Sequence, residues 1–138
     1  MSQEPAFIDT NVLVYHLGQP DHEHGPRSTE FLGKLRAGQI NGYLSSTVIL
    51  ECIHVFRVRY DVPNWKLAEA LIEILSYQGI RSDHLEALIA ALEFWSSQGP
   101  LSFADCFHLA LAKHLGMTRV YSFDQKMNRL PGIERIEP

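Results

Sequence analysis

The segment Ala6-Phe7-Ile8-Asp9-Thr10-Asn11-Val12-Leu13-Val14-Tyr15 constrains this chain most, because it is apolar from its first residue and breaks on a carboxylate. With Pro5 just ahead, the run predicts a short strand covered on both faces, as in parallel α/β sheets, with Asp9 where the strand gives out. The crevice outside the carboxyl ends of such strands is where ligands bind, so an acid there is placed for chemistry. It is equally placed to cap a helix that begins at Thr10 or Asn11. Local sequence leaves both readings of Asp9 open.

The chain has 138 residues, of which 46% are hydrophobic. That predicts one domain over residues 1–138, of a size that buries roughly 68–70% of its unfolded surface. A net charge of −4 excludes a broadly basic nucleic-acid binder, yet leaves room for a basic rim around an acidic centre. Cys52 and Cys106 fall in apolar helical stretches without metal-ligand spacing, and are expected as buried thiols in a reducing compartment. No apolar run reaches the roughly 18 residues of a membrane span, and Met1-Ser2-Gln3-Glu4 carries no positive charge ahead of a hydrophobic segment. The expectation is a cytoplasmic protein without membrane association.

After the first strand, a helix from Val12 to Leu17 should end near Gly18. In the loop that follows, Gln19 to Gly25, His22 and His24 flank Glu23; without a rigid element to hold ligands, it reads as solvated and mobile rather than as a metal site. Pro26 opens a helix with Phe31, Leu32 and Leu35 on one face and Gly38 as its stop. Tyr43-Leu44-Ser45 is a brief strand, and Ser45, Ser46 or Thr47 can cap a helix to about Arg59. Its core stripe is Ile49, Cys52, Ile53 and Phe56. Glu51 lies outside that stripe but keeps apolar company in Val48 and Val55, so a solvated face and a functional acid both remain open. Arg57 and Arg59 near the helix end suit its dipole or a basic rim.

Asn64 is expected to cap a helix from Trp65 to about Tyr77, with Leu67, Leu71, Ile74 and Leu75 inward. Gly79 to Ser82 is a weak strand or turn, and Asp83 can cap a helix through Trp95 that Ser96-Ser97-Gln98-Gly99-Pro100 ends. Ser102-Phe103-Ala104-Asp105 fits the capping-box pattern and opens a helix to Leu115, apolar nearly all round and therefore expected to be buried and central. His108 lies one turn beyond Asp105. Arg119 to Ser122 is a strand, after which Asp124 either repeats the opening arrangement of strand and acid or forms an Asx turn. Ile133 to Ile136 suits an edge strand.

Of these acids Asp9 and Asp124 end strands, Glu51 lies on a helix after a strand and Asp105 begins the buried helix, and in a right-handed α/β fold those positions fall near one edge of the sheet. Carboxylates brought together repel one another and resist ionisation unless a cation sits among them. Oxygen-only ligation favours Mg²⁺ or Mn²⁺ over Zn²⁺, and such an ion suits phosphate-ester chemistry.

The motifs Phe7-Ile8-Asp9-Thr10-Asn11-Val12, Glu51 in a helix after a short strand, Ser102-Phe103-Ala104-Asp105, and Ser122-Phe123-Asp124 followed by Leu130-Pro131-Gly132-Ile133 resemble the PIN-domain ribonucleases, most of all the VapC-type toxins of toxin–antitoxin pairs. The resemblance implies a three-layer α/β/α fold with a central, mostly parallel sheet. It also implies an Mg²⁺- or Mn²⁺-dependent endoribonuclease that hydrolyses RNA by metal-activated water, leaving a 5′-phosphate and a 3′-hydroxyl. Homodimerisation and inhibition by a cognate antitoxin are further implications. Residue by residue, Asp9, Glu51, Asp105 and Asp124 match the family's acidic quartet as catalytic and metal-binding groups, with Asn11 and Ser122 supporting the ligands. Lys126 stands where many relatives carry another acid, which weakens any claim to a fifth ligand.

Arg57, Arg59, Lys126 and Arg129 are the candidates for an RNA rim. Tyr60, Trp65 and Tyr77 are expected as exposed aromatics suited to dimer packing or base stacking. Two other classes compete. A phosphoaspartyl phosphatase also places an acid after its first strand, but typically wants a second aspartate two residues on, where Asn11 stands here. A non-catalytic interaction module would keep the fold and bind a protein.

Overall fold

The computed structural model describes residues 4–97 and 100–138. Met1, Ser2 and Gln3, and Gln98 and Gly99 of the expected helix stop, lie outside the described residues. The chain divides into two compact units, Met1–Asp83 and His84–Pro138.

In the first unit β1 (Ala6–Phe7), β2 (Gly42–Tyr43) and β3 (Ile80–Arg81) pair in parallel in the order β1-β2-β3, with Ala6 opposite Gly42 and Tyr43 opposite Arg81. The opening stretch departs from expectation. Ala6 and Phe7 are exposed, Phe7 by 79%, and burial begins at Ile8. The reason is that β1 is an edge strand of this sheet, so Phe7 finds one aromatic neighbour, Tyr43, edge-on at 4.8 Å. The second strand also stops at Tyr43, because Ser45 is already committed as a helix cap.

The helices follow their apolar stripes. α1 (Thr10–Gly18) buries Thr10, Leu13 and Val14, and packs against α2 (Gly25–Arg36) and α3 (Ser46–Arg59). Pro26 sits in the first turn of α2, which buries Leu32 and Leu35. α3 is capped by Ser45, whose hydroxyl accepts from the Val48 N–H at 3.2 Å, and buries Ile49, Cys52, Ile53 and Phe56. α4 (Asn64–Leu75) buries Leu67, Leu71, Ile74 and Leu75, but its cap is Pro63 rather than Asn64. The Pro63 carbonyl already accepts from the N–H groups of Lys66 and Leu67, so no polar side chain is needed to start the turn.

In the second unit α5 (Leu85–Ser97) packs along α6 (Phe103–His114), and β4 (Arg119–Tyr121) pairs in parallel with β5 (Glu134–Ile136). Asp83 does not open α5 directly. Its N–H donates to the Tyr43 hydroxyl at 3.0 Å, and His84 intervenes at a left-handed φ of 57°. The Asp83 side chain beside that hydroxyl raises the Tyr43 pKa, against the opposing pull of the backbone N–H. α6 is less buried than its composition predicts: Phe103, Cys106, Phe107, Leu109 and Ala110 are covered, while His108, Lys113 and His114 are exposed. The polar residues fall at a spacing that leaves one helical face free.

Both cysteines are buried and unpaired, and burial pushes the thiol pKa up to about 12 at Cys52 and about 11 at Cys106. The thiolate is the reacting form, so native protein should resist a thiol reagent at mildly alkaline pH and react at both cysteines once unfolded. Fast labelling of the native protein would contradict this burial. Because these pKa values are raised on folding, the stability they carry is complete below the ordinary thiol pKa and is lost as pH rises past it. No helix among the described residues is long and apolar enough to cross a membrane.

Candidate active site

The turn from β1 into α1 supplies the first acid. Asp9 has extended backbone and caps α1, its Oδ1 accepting from the Thr10 N–H at 2.7 Å, so the capping reading of the sequence is correct. One carboxylate oxygen suffices for that bond. Oδ2 accepts no hydrogen bond among the described residues, and Asp9 remains exposed at the mouth of a cleft of about 330 Å³.

Glu51 reaches the same cleft from α3. Its Oε2 accepts from Thr10 Oγ1 at 3.1 Å, a bond between residues 41 apart in sequence. Thr10 is buried, at 7% exposure, so its hydroxyl has few other partners and holds Glu51 firmly. Nothing in the sequence near Thr10 signals this role. Asn11, Tyr15 and Arg59 also line the cleft, which puts one of the four rim candidates there. Arg57 is exposed on the same helix but does not line it.

Two of the expected exposed aromatics are engaged instead. Tyr60 packs on Phe56 with ring centroids 4.8 Å apart, and its hydroxyl accepts from Gln19 Nε2 at 3.0 Å. Tyr77 lies under the Arg36 guanidinium, 5.8 Å from the ring centroid, and burial raises its pKa. Trp65 is exposed, by 59%.

Asp105 and Asp124 belong to the second unit. Ser102 caps α6 by accepting from the Asp105 N–H at 3.1 Å, while the Asp105 carboxylate accepts no hydrogen bond and forms no ion pair among the described residues. The capping box is therefore half formed, and the half-buried carboxylate is spare. Asp124 is occupied. Oδ1 accepts from the Lys126 N–H at 3.0 Å, the Asx turn that starts a 3-10 helix over Gln125–Asn128, and Oδ2 lies 3.8 Å from Lys126 Nζ. Ser122 Oγ accepts from the Asp124 N–H at 3.0 Å and so orients that turn. Arg129 is exposed just beyond it.

Among the described residues no three His, Cys, Asp or Glu side chains are grouped to hold a metal ion. The first cleft nevertheless fits a hard divalent cation by its donor set: two carboxylates, of which Asp9 keeps an oxygen free, with Asn11 beside them. Mg²⁺ commonly takes one or two carboxylates and fills its remaining positions with water and substrate phosphate.

A model of the PIN domain family matches residues 6–133. The chain belongs to the PIN domain family. Parallel pairing in both of its sheets accords with the α/β fold class of three layers expected from the sequence. PIN domains are generally nucleases, which puts this one among the hydrolases of phosphodiester bonds. None of the curated proteins matches the chain.

Proposed function

We propose that this PIN domain is an Mg²⁺- or Mn²⁺-dependent endoribonuclease and the toxin of a toxin–antitoxin pair. The observation that carries the nuclease reading is the meeting of Asp9 and Glu51 in one cleft beside a cation, Arg59. Thr10 ties one acid to the backbone that carries the other. The toxin reading rests on the sequence motifs that resemble VapC-type proteins, and carries with it a cognate antitoxin and a homodimer as partners.

In this reading Asp9 and Glu51 hold the ion with Asn11 beside them to orient the carboxylates, while Asp105 and Asp124, with Ser122 orienting the latter, are further catalytic acids on the strength of the sequence resemblance alone. The ion, when bound, supplies a Lewis acid that favours attack by water and neutralises the leaving oxygen. Arg59 receives a phosphate oxygen of the RNA. Asp9 and Glu51 repel the polyanion from the bare site, and a bound cation would reverse that local sign and admit it.

Purified protein should cut RNA in the presence of Mg²⁺ or Mn²⁺ and stop on chelation and in Asp105→Asn; cleavage that survives both would overturn the metal-nuclease reading. A phosphoenzyme trapped on Asp9 would favour a phosphatase instead. For the toxin role, expression should arrest growth, and a small protein encoded alongside should relieve the arrest.

The Thr10 bond gives a finer test. Thr10→Val keeps the shape but removes the hydroxyl from Glu51, and cleavage should fall about 10- to 100-fold, as for other groups that orient metal ligands. Thr10→Ser should stay within a few-fold of the parent. Equal rates for the two variants would remove the positioning role.

A further inference from the structure

A second cleft shares lining residues with the acidic one. Between α1 and α2 a cleft of about 430 Å³ is lined by Asn11, Val12, Tyr15, His24, Arg27 and Phe31, and Asn11 and Tyr15 line both clefts. Whatever sits over Asp9 therefore has a neighbouring compartment.

The loop that forms its wall is built rather than free, contrary to the expectation of a mobile segment. His22 stacks on Tyr15 at 4.5 Å and 23°, and His24 meets Tyr15 edge-on at 5.2 Å. The His24 N–H donates to His22 Nδ1 at 3.1 Å, and the Gly25 N–H to the His22 carbonyl at 2.8 Å. Gly25 also lies so close to the Pro20 carbonyl that a Cβ would collide with it. The cleft thus presents rings from Tyr15 and His24, held by their packing with His22, and a third from Phe31. Arg27, exposed, makes no ion pair or hydrogen bond among the described residues, so its guanidinium is available.

We propose that this second cleft binds one nucleotide of single-stranded RNA beside the scissile bond, its base against the Tyr15, His24 and Phe31 rings and its phosphate on Arg27. The inference rests on the ribonuclease reading and adds a base-binding compartment beside that site. Aromatic faces alternating with cations are how proteins hold single strands, and a base must leave its duplex stack to reach them. A bidentate guanidinium suits a phosphate. Stacking needs no charge on His24, whose Nε2 lies 3.5 Å from Glu23 Oε1. Past Arg27 and Phe31 lies a cleft of about 250 Å³ where Glu30 sits 3.9 Å from Lys34, so that lysine offers a phosphate less than Arg27 does.

The test uses the full chain and a short single-stranded oligoribonucleotide that the parent cuts, with a duplex of the same sequence as comparison. The parent should cut the single strand at least tenfold faster. Arg27→Gln should raise KM about fivefold with kcat within twofold, and in binding to the inactive Asp9→Asn protein should reduce the slope of log affinity against log salt by about 0.7, the loss of one phosphate contact. Tyr15→Leu should weaken binding about fivefold or more, and Tyr15→Phe, which keeps the ring, should bind like the parent. If the parent cuts single strands and Arg27→Gln and Tyr15→Leu both leave KM and salt slope unchanged, the subsite is wrong while the ribonuclease reading stands. A parent that neither cuts nor binds RNA overturns both. Variants that spare RNA binding but release a protein inhibitor would assign the cleft to a polypeptide and overturn the subsite.

Discussion

Asp9→Asn should lower RNA cleavage at least about a hundredfold while leaving the fold in place, a change of about 2.7 kcal/mol in the barrier. The substitution is informative because the two roles of Asp9 respond differently. As a cap, Asp9 needs an oxygen to accept the Thr10 N–H, and asparagine caps a helix as well as aspartate does. As a metal-binding acid it needs its charge. Near-parental thermal unfolding together with lost activity therefore isolates the chemical role, and the same loss on chelation ties it to the cation. Activity within a few-fold of the parent would leave Asp9 as a cap alone and remove the centre of the proposed site.

A large loss of stability is expected at Gly79→Ala, which should cost about 3 kcal/mol and lower the unfolding midpoint by roughly 10 °C. Gly79 leads into β3 with its N–H on the Leu35 carbonyl at 2.8 Å and its own carbonyl accepting from Gly42 at 2.9 Å. A Cβ there would collide with the Ile40 carbonyl oxygen and lie 2.9 Å from that of Leu35. Both obstacles are backbone, so the strain cannot be relieved by turning a side chain. Gly33 is the control. It sits inside α2 with nothing within 4 Å of an added Cβ, and Gly33→Ala should stabilise by about 0.5–1 kcal/mol. Differential scanning of the two variants checks both signs; a mild effect at Gly79 would mean that the Ile40 turn yields.

What the sequence revealed is local. The stripe Ile49, Cys52, Ile53 and Phe56 is buried as its helical spacing requires, and Ser45 and Ser102 cap the helices that follow them. Strand extent was poorly legible, since two residues of β1 cannot show an alternation and their exposure depends on being at a sheet edge. Of the site, Asp9 and Glu51 were legible as residues, but the bond from Thr10 that orients Glu51 spans 41 positions and leaves no periodic trace. The loop from Gln19 to Gly25 was misread for the same reason: its polar, glycine-bounded composition looks mobile, and the ring that steadies it, Tyr15, is on the preceding helix.

Glu51, Val55 and Arg59 are spaced four residues apart along α3, and all three line the acidic cleft. Along about 12 Å of one helical face the sign of the charge therefore reverses, from carboxylate through an apolar step to guanidinium. An incoming polyanion meets a gradient instead of a uniformly repulsive mouth, and enters with its backbone drawn toward the Arg59 end. That pull weakens as salt shortens the reach of both charges.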